Sequence, residues 1–386
     1  MSEIRKIAVV FGTRPDTIKL APVILELRKH PDNFKVVTIA TAQHREMLDQ
    51  VLEVFAIDPD YDLNVMKPRQ SLAEITGNVI GALDSVLVKE GPAMVLVQGD
   101  TTTTFVGALA AFYRSIPVGH VEAGLRTYDR ANPFPEEINR RLTSSLTDLH
   151  FAPTATSRRA LMREHIDPRT IFITGNTVID ALRIAVRKEY TFSVPELNRV
   201  TGLHRHILLV TMHRRENWGE PMASAARALR RIVETHPDLH LVFPVHLNPR
   251  VRDVVLPILG GLSNVSLIEP LDYLDFVNIM ARSYLIISDS GGVQEEGPSL
   301  AKPILVLREV TERPEAVRFG TVKLVGLDEE RIYRQAHRLL SDRRAYRAMA
   351  TAVNPYGDGH AAHRTVQIIR HYFQFSRTLP KEFVPR

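Results

Sequence analysis

A chain of 386 residues with 44% hydrophobic and 24% charged positions is long enough for about two ordinary domains, and its composition is that of a globular protein rather than a disordered or fibrous one. Lys plus Arg exceed Asp plus Glu by 49 to 44, but the surplus is scattered in pairs such as Arg158-Arg159, Arg230-Arg231 and Arg343-Arg344, which disfavours a nucleic-acid surface and is compatible with an anionic small molecule. The absence of cysteine excludes a disulfide framework, a thiolate metal site and a cysteine nucleophile. With no signal-peptide core and no apolar run of about 18 residues, the expectation is a cytoplasmic protein without a membrane span.

Short apolar runs alternate with longer amphipathic ones, the pattern of parallel strands crossed by helices. In the first half this predicts strands at Lys6–Val10, Val36–Ala40, Ala93–Val97, Val118–Val121, His150–Ala152 and Ile171–Ile173. Helices are predicted near Pro15–Lys29, Arg45–Phe55, Leu72–Val88, Thr102–Arg114, Pro135–Thr147 and Thr156–Glu164. The second half predicts strands at Ile207–Val210, Leu241–Pro244, Val265–Ile268, Leu285–Ile287, Ile304–Val306 and Val322–Leu324. Its helices fall near Met222–Thr235, Pro249–Leu259, Leu274–Ala281, Val293–Ser299, Glu329–Leu340 and Arg343–Ala350. The segment Arg187–His206 is the least patterned, and the boundary is placed just before it, around Gly175. The expected architecture is α/β: two doubly wound domains, 1–174 and 175–360, facing a cleft, with a last helix in 361–386 packing back on the first domain.

In open parallel sheets, ligands bind outside the carboxyl ends of the strands. Five polar motifs stand there. Gly12-Thr13-Arg14-Pro15 joins a strand to a helix, and its backbone amides, with Arg14 and Lys19, could hold a phosphate; a tight turn with solvated charges is the bland alternative. Asp100 and Glu122 each follow an apolar strand, and Glu136 and Glu137 open a helix. Each could be a cap, but together they could form an acid/base cluster. His213-Arg214-Arg215-Glu216-Asn217 follows the first strand of the second domain, where His213 suits phosphate contact or proton transfer. In Asp289-Ser290-Gly291-Gly292-Val293-Gln294-Glu295-Glu296, two glycines let a backbone approach a pyrophosphate and a later carboxylate can accept ribose hydroxyls. Arg313 would add a cation, although alone it reads as a surface residue. The 15 histidines show no HExxH-like ligand pair and there is no GxSxG elbow, so neither a metal site nor a serine hydrolase is expected.

FGTRPDTIKLAP, TAQHREMLDQVL, GDTTTTF, GHVEAGLRT, PFPEEINR, HRREN, PVHLNPRVR, DSGGVQEE and TERPE, in this order from about Ile4 to Phe373, resemble the non-hydrolysing UDP-N-acetylglucosamine 2-epimerases. The resemblance implies two Rossmann-like domains in the B-type glycosyltransferase arrangement, a homodimer, and interconversion of UDP-GlcNAc and UDP-ManNAc with neither cofactor nor metal. It implies anti elimination of UDP to a 2-acetamidoglucal followed by re-addition. Asp100, Glu122, Glu136 and His213 match the catalytic positions. Arg14, Lys19, Phe276, Ser290, Gly291, Gly292, Glu296 and Arg313 match substrate contacts. Gln43, Arg69, Gln70, Arg214 and His246 match a second UDP-GlcNAc site that activates bacterial members. A UDP-sugar glycosyltransferase of the same fold and a hydrolysing epimerase releasing ManNAc are the alternatives. Three departures stand out: Asp16-Thr17 where Glu-Ala is common, Gly297 where Ala is usual, and Trp218 after HRREN.

Overall fold

The computed structural model describes residues 3–41, 45–65, 70–203 and 205–385. They divide into two compact units, Met1–Ile184 with Tyr356–Val384, and Ala185–Pro355. In the first unit the strands are β1 (Arg5–Phe11), β2 (Phe34–Ala40), β3 (Tyr61–Asp62), β4 (Met94–Gln98), β5 (Val118–Val121), β6 (Leu149–Ala152) and β7 (Ile171–Ile173). They form a parallel sheet in the order β3-β2-β1-β4-β5-β6-β7. The second unit contains β8 (His206–Thr211), β9 (Leu239–Pro244), β10 (Val265–Ile268), β11 (Leu285–Ser288), β12 (Ile304–Val306) and β13 (Val322–Leu324). These are ordered β10-β9-β8-β11-β12-β13, again parallel.

Central strands are apolar on both faces because helices cover both: β4 and β5 are buried at every position, as parallel sheets require. The strand order reverses between β1 and β4 in one sheet and between β8 and β11 in the other. Such reversals open a crevice at the carboxyl ends where a ligand can sit. The expectation of two doubly wound sheets is met, and twelve of these strands were foreseen to within two residues at each end. β2 begins earlier, at Phe34, and β3 was missed because two residues carry no periodicity.

The sequence reading also missed the helices Thr177–Ala185, Pro195–Gly202 and Pro314–Arg318. The units divide at Ala185 and Tyr356 rather than at 175 and 361, because helix Thr177–Ala185 belongs to the first unit as far as Ile184. Its buried Asp180 accepts hydrogen bonds from the N–H groups of Ala361 (3.1 Å) and Ala362 (2.9 Å), capping helix Ala361–Tyr372. The ring of Phe34 packs edge-on against Phe373 and Phe375, at 6.5 and 5.6 Å between centroids. In the poorly patterned 187–206 stretch, order comes from one buried carboxylate. Asp275 accepts hydrogen bonds from Tyr190 Oη (2.8 Å), Ser193 N (3.1 Å) and Val194 N (3.2 Å).

Candidate active site

Glu122 follows β5 and is 7% exposed. Its backbone adopts φ +63°, a conformation that costs a non-glycine residue about 1–3 kcal/mol and is characteristic of functional sites. Four N–H contacts converge on its carboxylate. Lys19 Nζ lies 2.6 Å from both oxygens, Asn176 Nδ2 donates to Oε1 at 2.8 Å, and Gln98 Nε2 donates to Oε2. An ionised carboxylate is acceptor-only, so this surround suits an ionised carboxylate.

Asp100 stands at the end of the neighbouring strand, since β4 pairs with β5 through Gln98 and Val121. Arg140 donates to its Oδ2 from Nε (2.9 Å) and Nη2 (2.6 Å), and Asn139 Nδ2 donates to its backbone oxygen at 2.9 Å. Beneath it, His120 is fully buried, and its Nε2 lies 2.8 Å from the carbonyl oxygen of Gly99. Burial pushes the imidazole down to about 3, so it is a neutral donor to that turn. Helix Glu136–Ser145 carries the other two acids. Glu137 is fully buried and accepts hydrogen bonds from the amides of Thr127 (3.0 Å) and Tyr128 (3.1 Å) and from Arg140 Nη1 (3.1 Å). It is a scaffold residue, whereas Glu136 is half-buried at the helix start.

The loop after β1 differs from the expected phosphate cradle. Asp16, buried in the first turn of helix Arg14–Arg28, accepts the amides of Gly12 (3.1 Å), Thr13 (2.7 Å) and Thr17 (3.0 Å) and the Thr13 hydroxyl (2.7 Å). The amides expected to hold a phosphate are thus held by the protein's own carboxylate, and of the two cations beside the loop Lys19 is paired with Glu122. Burial pushes Asp16 up to about 6, against the pull of these hydrogen bonds. Gly12 is obligatory: a Cβ there would lie 2.2 Å from Thr41 Oγ1 and 2.6 Å from Thr103 Oγ1.

In the second unit, β8 and β11 lie side by side with Thr211 opposite Ser288, which brings His213 next to Asp289. His213 Nδ1 is 2.9 Å from Asp289 Oδ1; the histidine side chain is 46% exposed and the aspartate fully buried. Ser290 occupies the N-cap position of helix Gly291–Ser299 without a capping hydrogen bond from its side chain, and Gly292 lies near the Glu296 carboxylate, 3.8 Å from where a Cβ would stand. Arg313 is more than a surface cation. Its guanidinium covers Gly291, 3.1 Å from the place of a Cβ, while Nε donates to Glu295 at 2.8 Å. Gly297, where Ala is usual in the motif, lets Ile304 approach; a Cβ would meet its Cδ1 at 2.6 Å. Phe276 is half-buried on helix Tyr273–Arg282.

Of the proposed activator positions, Gln43 and Arg69 lie outside the described residues. Gln70, in the first unit, donates to the Val65 carbonyl at 3.3 Å. In the second unit Arg214 Nε donates to the Asp289 carbonyl at 2.9 Å, and exposed His246 accepts the Asn248 amide at 3.1 Å. Among the described residues no group of three His, Asp or Glu is placed to hold a metal, and no helix is long and apolar enough to cross a membrane.

Sequence reasoning missed Gln98, Arg140 and Asn176. Asn176 could have been found, because it follows β7 as Glu122 follows β5. Gln98 carried no signal, being the last residue of an otherwise apolar strand.

The family model for UDP-N-acetylglucosamine 2-epimerase matches residues 25–370. The UDP-N-acetylglucosamine 2-epimerase of Bacillus subtilis is 54% identical over 378 residues, covering 98% of each chain. A crystal structure of UDP-GlcNAc 2-epimerase from Neisseria meningitidis bound to UDP-GlcNAc is 49% identical, with a TM-score of 0.84 over 95% of this chain and 100% of that one. The glycosyltransferase of kitacinnamycin, at 12% identity, shares the fold, with a TM-score of 0.62 over 98% of this chain and 100% of that one.

Proposed function

The chain belongs to the UDP-N-acetylglucosamine 2-epimerase family, and from that premise we propose that it interconverts UDP-GlcNAc and UDP-ManNAc by elimination and re-addition of UDP. In the forward direction a carboxylate removes the proton on carbon 2 while the carbon 1–oxygen bond breaks and its electron pair leaves with UDP. The resulting carbon 1–carbon 2 double bond is then attacked at carbon 1 by the diphosphate oxygen, and a proton is delivered to the opposite face of carbon 2. Nothing is oxidised or reduced, and the proton count is unchanged.

The observation that carries this reading is the pair of carboxylates at the ends of adjacent strands, Asp100 with Arg140 and Glu122 with Lys19. Inversion needs proton-handling groups on two faces of one carbon, and Glu136 supplies a third carboxyl. Charge develops on the departing diphosphate; in the second unit His213 and Arg313, with Ser290, Gly291 and Gly292 at a helix N-terminus, are suited to stabilise it, and in the first unit the candidate cations are Arg14 and Lys19. Phe276 offers a ring for the base and Glu296 a carboxylate for the ribose hydroxyls.

The enzyme works as a homodimer in the cytoplasm, where its sugar nucleotide is supplied. Exposed Phe112, Tyr113 and Val88 on the adjoining helices Leu72–Glu90 and Thr102–Tyr113 support pairing. A second UDP-GlcNAc activates it and makes the rate sigmoidal in substrate, the candidate positions among the described residues being Gln70 of the first unit and Arg214 and His246 of the second. The test of the acid/base assignment is kinetic. Asp100→Asn, Glu122→Gln and Glu136→Gln should each lower kcat by roughly 100-fold or more while UDP affinity changes little. Undiminished turnover in any one removes that residue from the mechanism.

A further inference from the structure

We propose that Asp289 is a positioning residue for His213, fixing its Nδ1–H inward so that Nε2 is the nitrogen offered to the substrate. The inference rests on the reading of His213 as a participant in UDP departure. Asp289 is fully buried at the end of β11. Its Oδ2 accepts the amides of His213 and Arg214, both at 2.9 Å, and Asn217 Nδ2 at 3.0 Å. Its Oδ1 makes no other hydrogen bond among the described residues, and His213 Nδ1 stands 2.9 Å from it as an ion-pair contact. One carboxylate therefore sets both the backbone turn that carries the histidine and the edge of the ring that turns inward.

A buried acceptor-only group facing Nδ1 selects the tautomer with the proton on that nitrogen. Nε2, across the ring, is then a lone-pair acceptor, or a donor once the ring takes a second proton. Burial raises the Asp289 pKa, but the contact and charge of His213 and the two amides outweigh it, leaving the carboxyl below its ordinary value. An ionised partner of this kind also stabilises an imidazolium as negative charge grows on a departing diphosphate. Asp289 directly precedes Ser290, so the same side chain ties the β8 loop to the glycine turn after β11. The Asp289 motif suggested a phosphate-binding turn from sequence, but nothing in it pointed to a histidine 76 positions away.

The experiment is a double-mutant cycle in the full-length enzyme, with UDP-GlcNAc epimerisation as readout, using Asp289→Asn, His213→Asn and the pair. In Asp289→Asn the amide oxygen can still accept the backbone N–H groups while its NH₂ faces Nδ1, which reverses the tautomer and spares the turn. Asp289→Asn should lower kcat about 100-fold with KM within about threefold, and in the His213→Asn background it should cost less than about threefold more. Multiplicative losses, or an Asp289→Asn enzyme within about threefold of the parent, overturn the inference. An unimpaired His213→Asn enzyme overturns it together with the reading of His213, whereas an impaired one with multiplicative losses overturns it alone. Should Asp289→Asn fail to fold, the parent decides the matter by ¹⁵N spectroscopy, with His213→Asn to assign the signals. A proton on Nδ1 and a lone pair on Nε2 support the inference, and the reverse contradicts it.

Discussion

Lys19→Met removes one partner of a buried ion pair and gives the most direct structural test of the Glu122 pocket. The lysine side chain is 15% exposed and the glutamate 4%, so the remaining carboxylate cannot recover its loss from water. Breaking such a pair costs about 3–5 kcal/mol when no other donor remains. Gln98 and Asn176 still donate to Glu122, which brings the expected loss to about 2–3 kcal/mol. For a unit of this size that is a fall in Tm of roughly 5–10 °C. Adding Glu122→Gln to the same chain should return a large part of the loss, because no buried charge is then left unpaired. Thermal unfolding of the parent, both single variants and the double variant measures this. A deficit below about 1 kcal/mol, as for a surface pair, or a double variant no more stable than Lys19→Met alone would refute the reasoning.

Asp180 is pushed up to about 6 by burial, despite the two amides it accepts. A carboxyl whose folded pKa lies above its unfolded value of about 3.9 binds the proton better when folded, so its contribution falls as pH rises from about 4 to 6 and is flat above. Asp180→Asn should flatten the loss of stability over that interval by about 2 kcal/mol in thermal unfolding, and an unchanged slope would contradict the burial argument. Gly12→Ala should sharply lower both stability and kcat/KM, because its Cβ meets two threonine hydroxyls at 2.2 and 2.6 Å. Thr41→Ala in the same chain should restore at least half of the stability loss, and no restoration would place the defect elsewhere.

Most of the fold was legible because parallel strands buried on both faces are written as short apolar runs, and in the central positions, as at Val118–Val121, the run and the strand coincide. Elements without such a run were not. β3 is a two-residue edge strand set by its pairing with Ile39 and Ala40, and Pro195–Gly202 is a helix stabilised by long-range contacts. The placement of the candidate residues was legible where a polar motif follows a strand, as at Asp100, Glu122 and His213. Partners that reach a site across the sheet are harder to see: Arg140 comes to Asp100 from 40 positions away and left no mark, and Asn176, 54 positions from Glu122, was marked only by its place after β7. The phosphate loop was misread in one respect, since nothing in Gly12-Thr13-Arg14 reveals that Asp16 four residues on takes up its amides.

The central claim is that epimerisation passes through loss and return of the proton on carbon 2. The purified enzyme, run with UDP-GlcNAc in deuterated water and followed by mass and NMR spectroscopy of the sugar nucleotides, tests it directly. The account predicts UDP-ManNAc bearing deuterium at carbon 2, with label also entering the recovered UDP-GlcNAc as the reaction reverses. UDP-ManNAc formed without deuterium at carbon 2, or substrate returned unlabelled with no product, would contradict it.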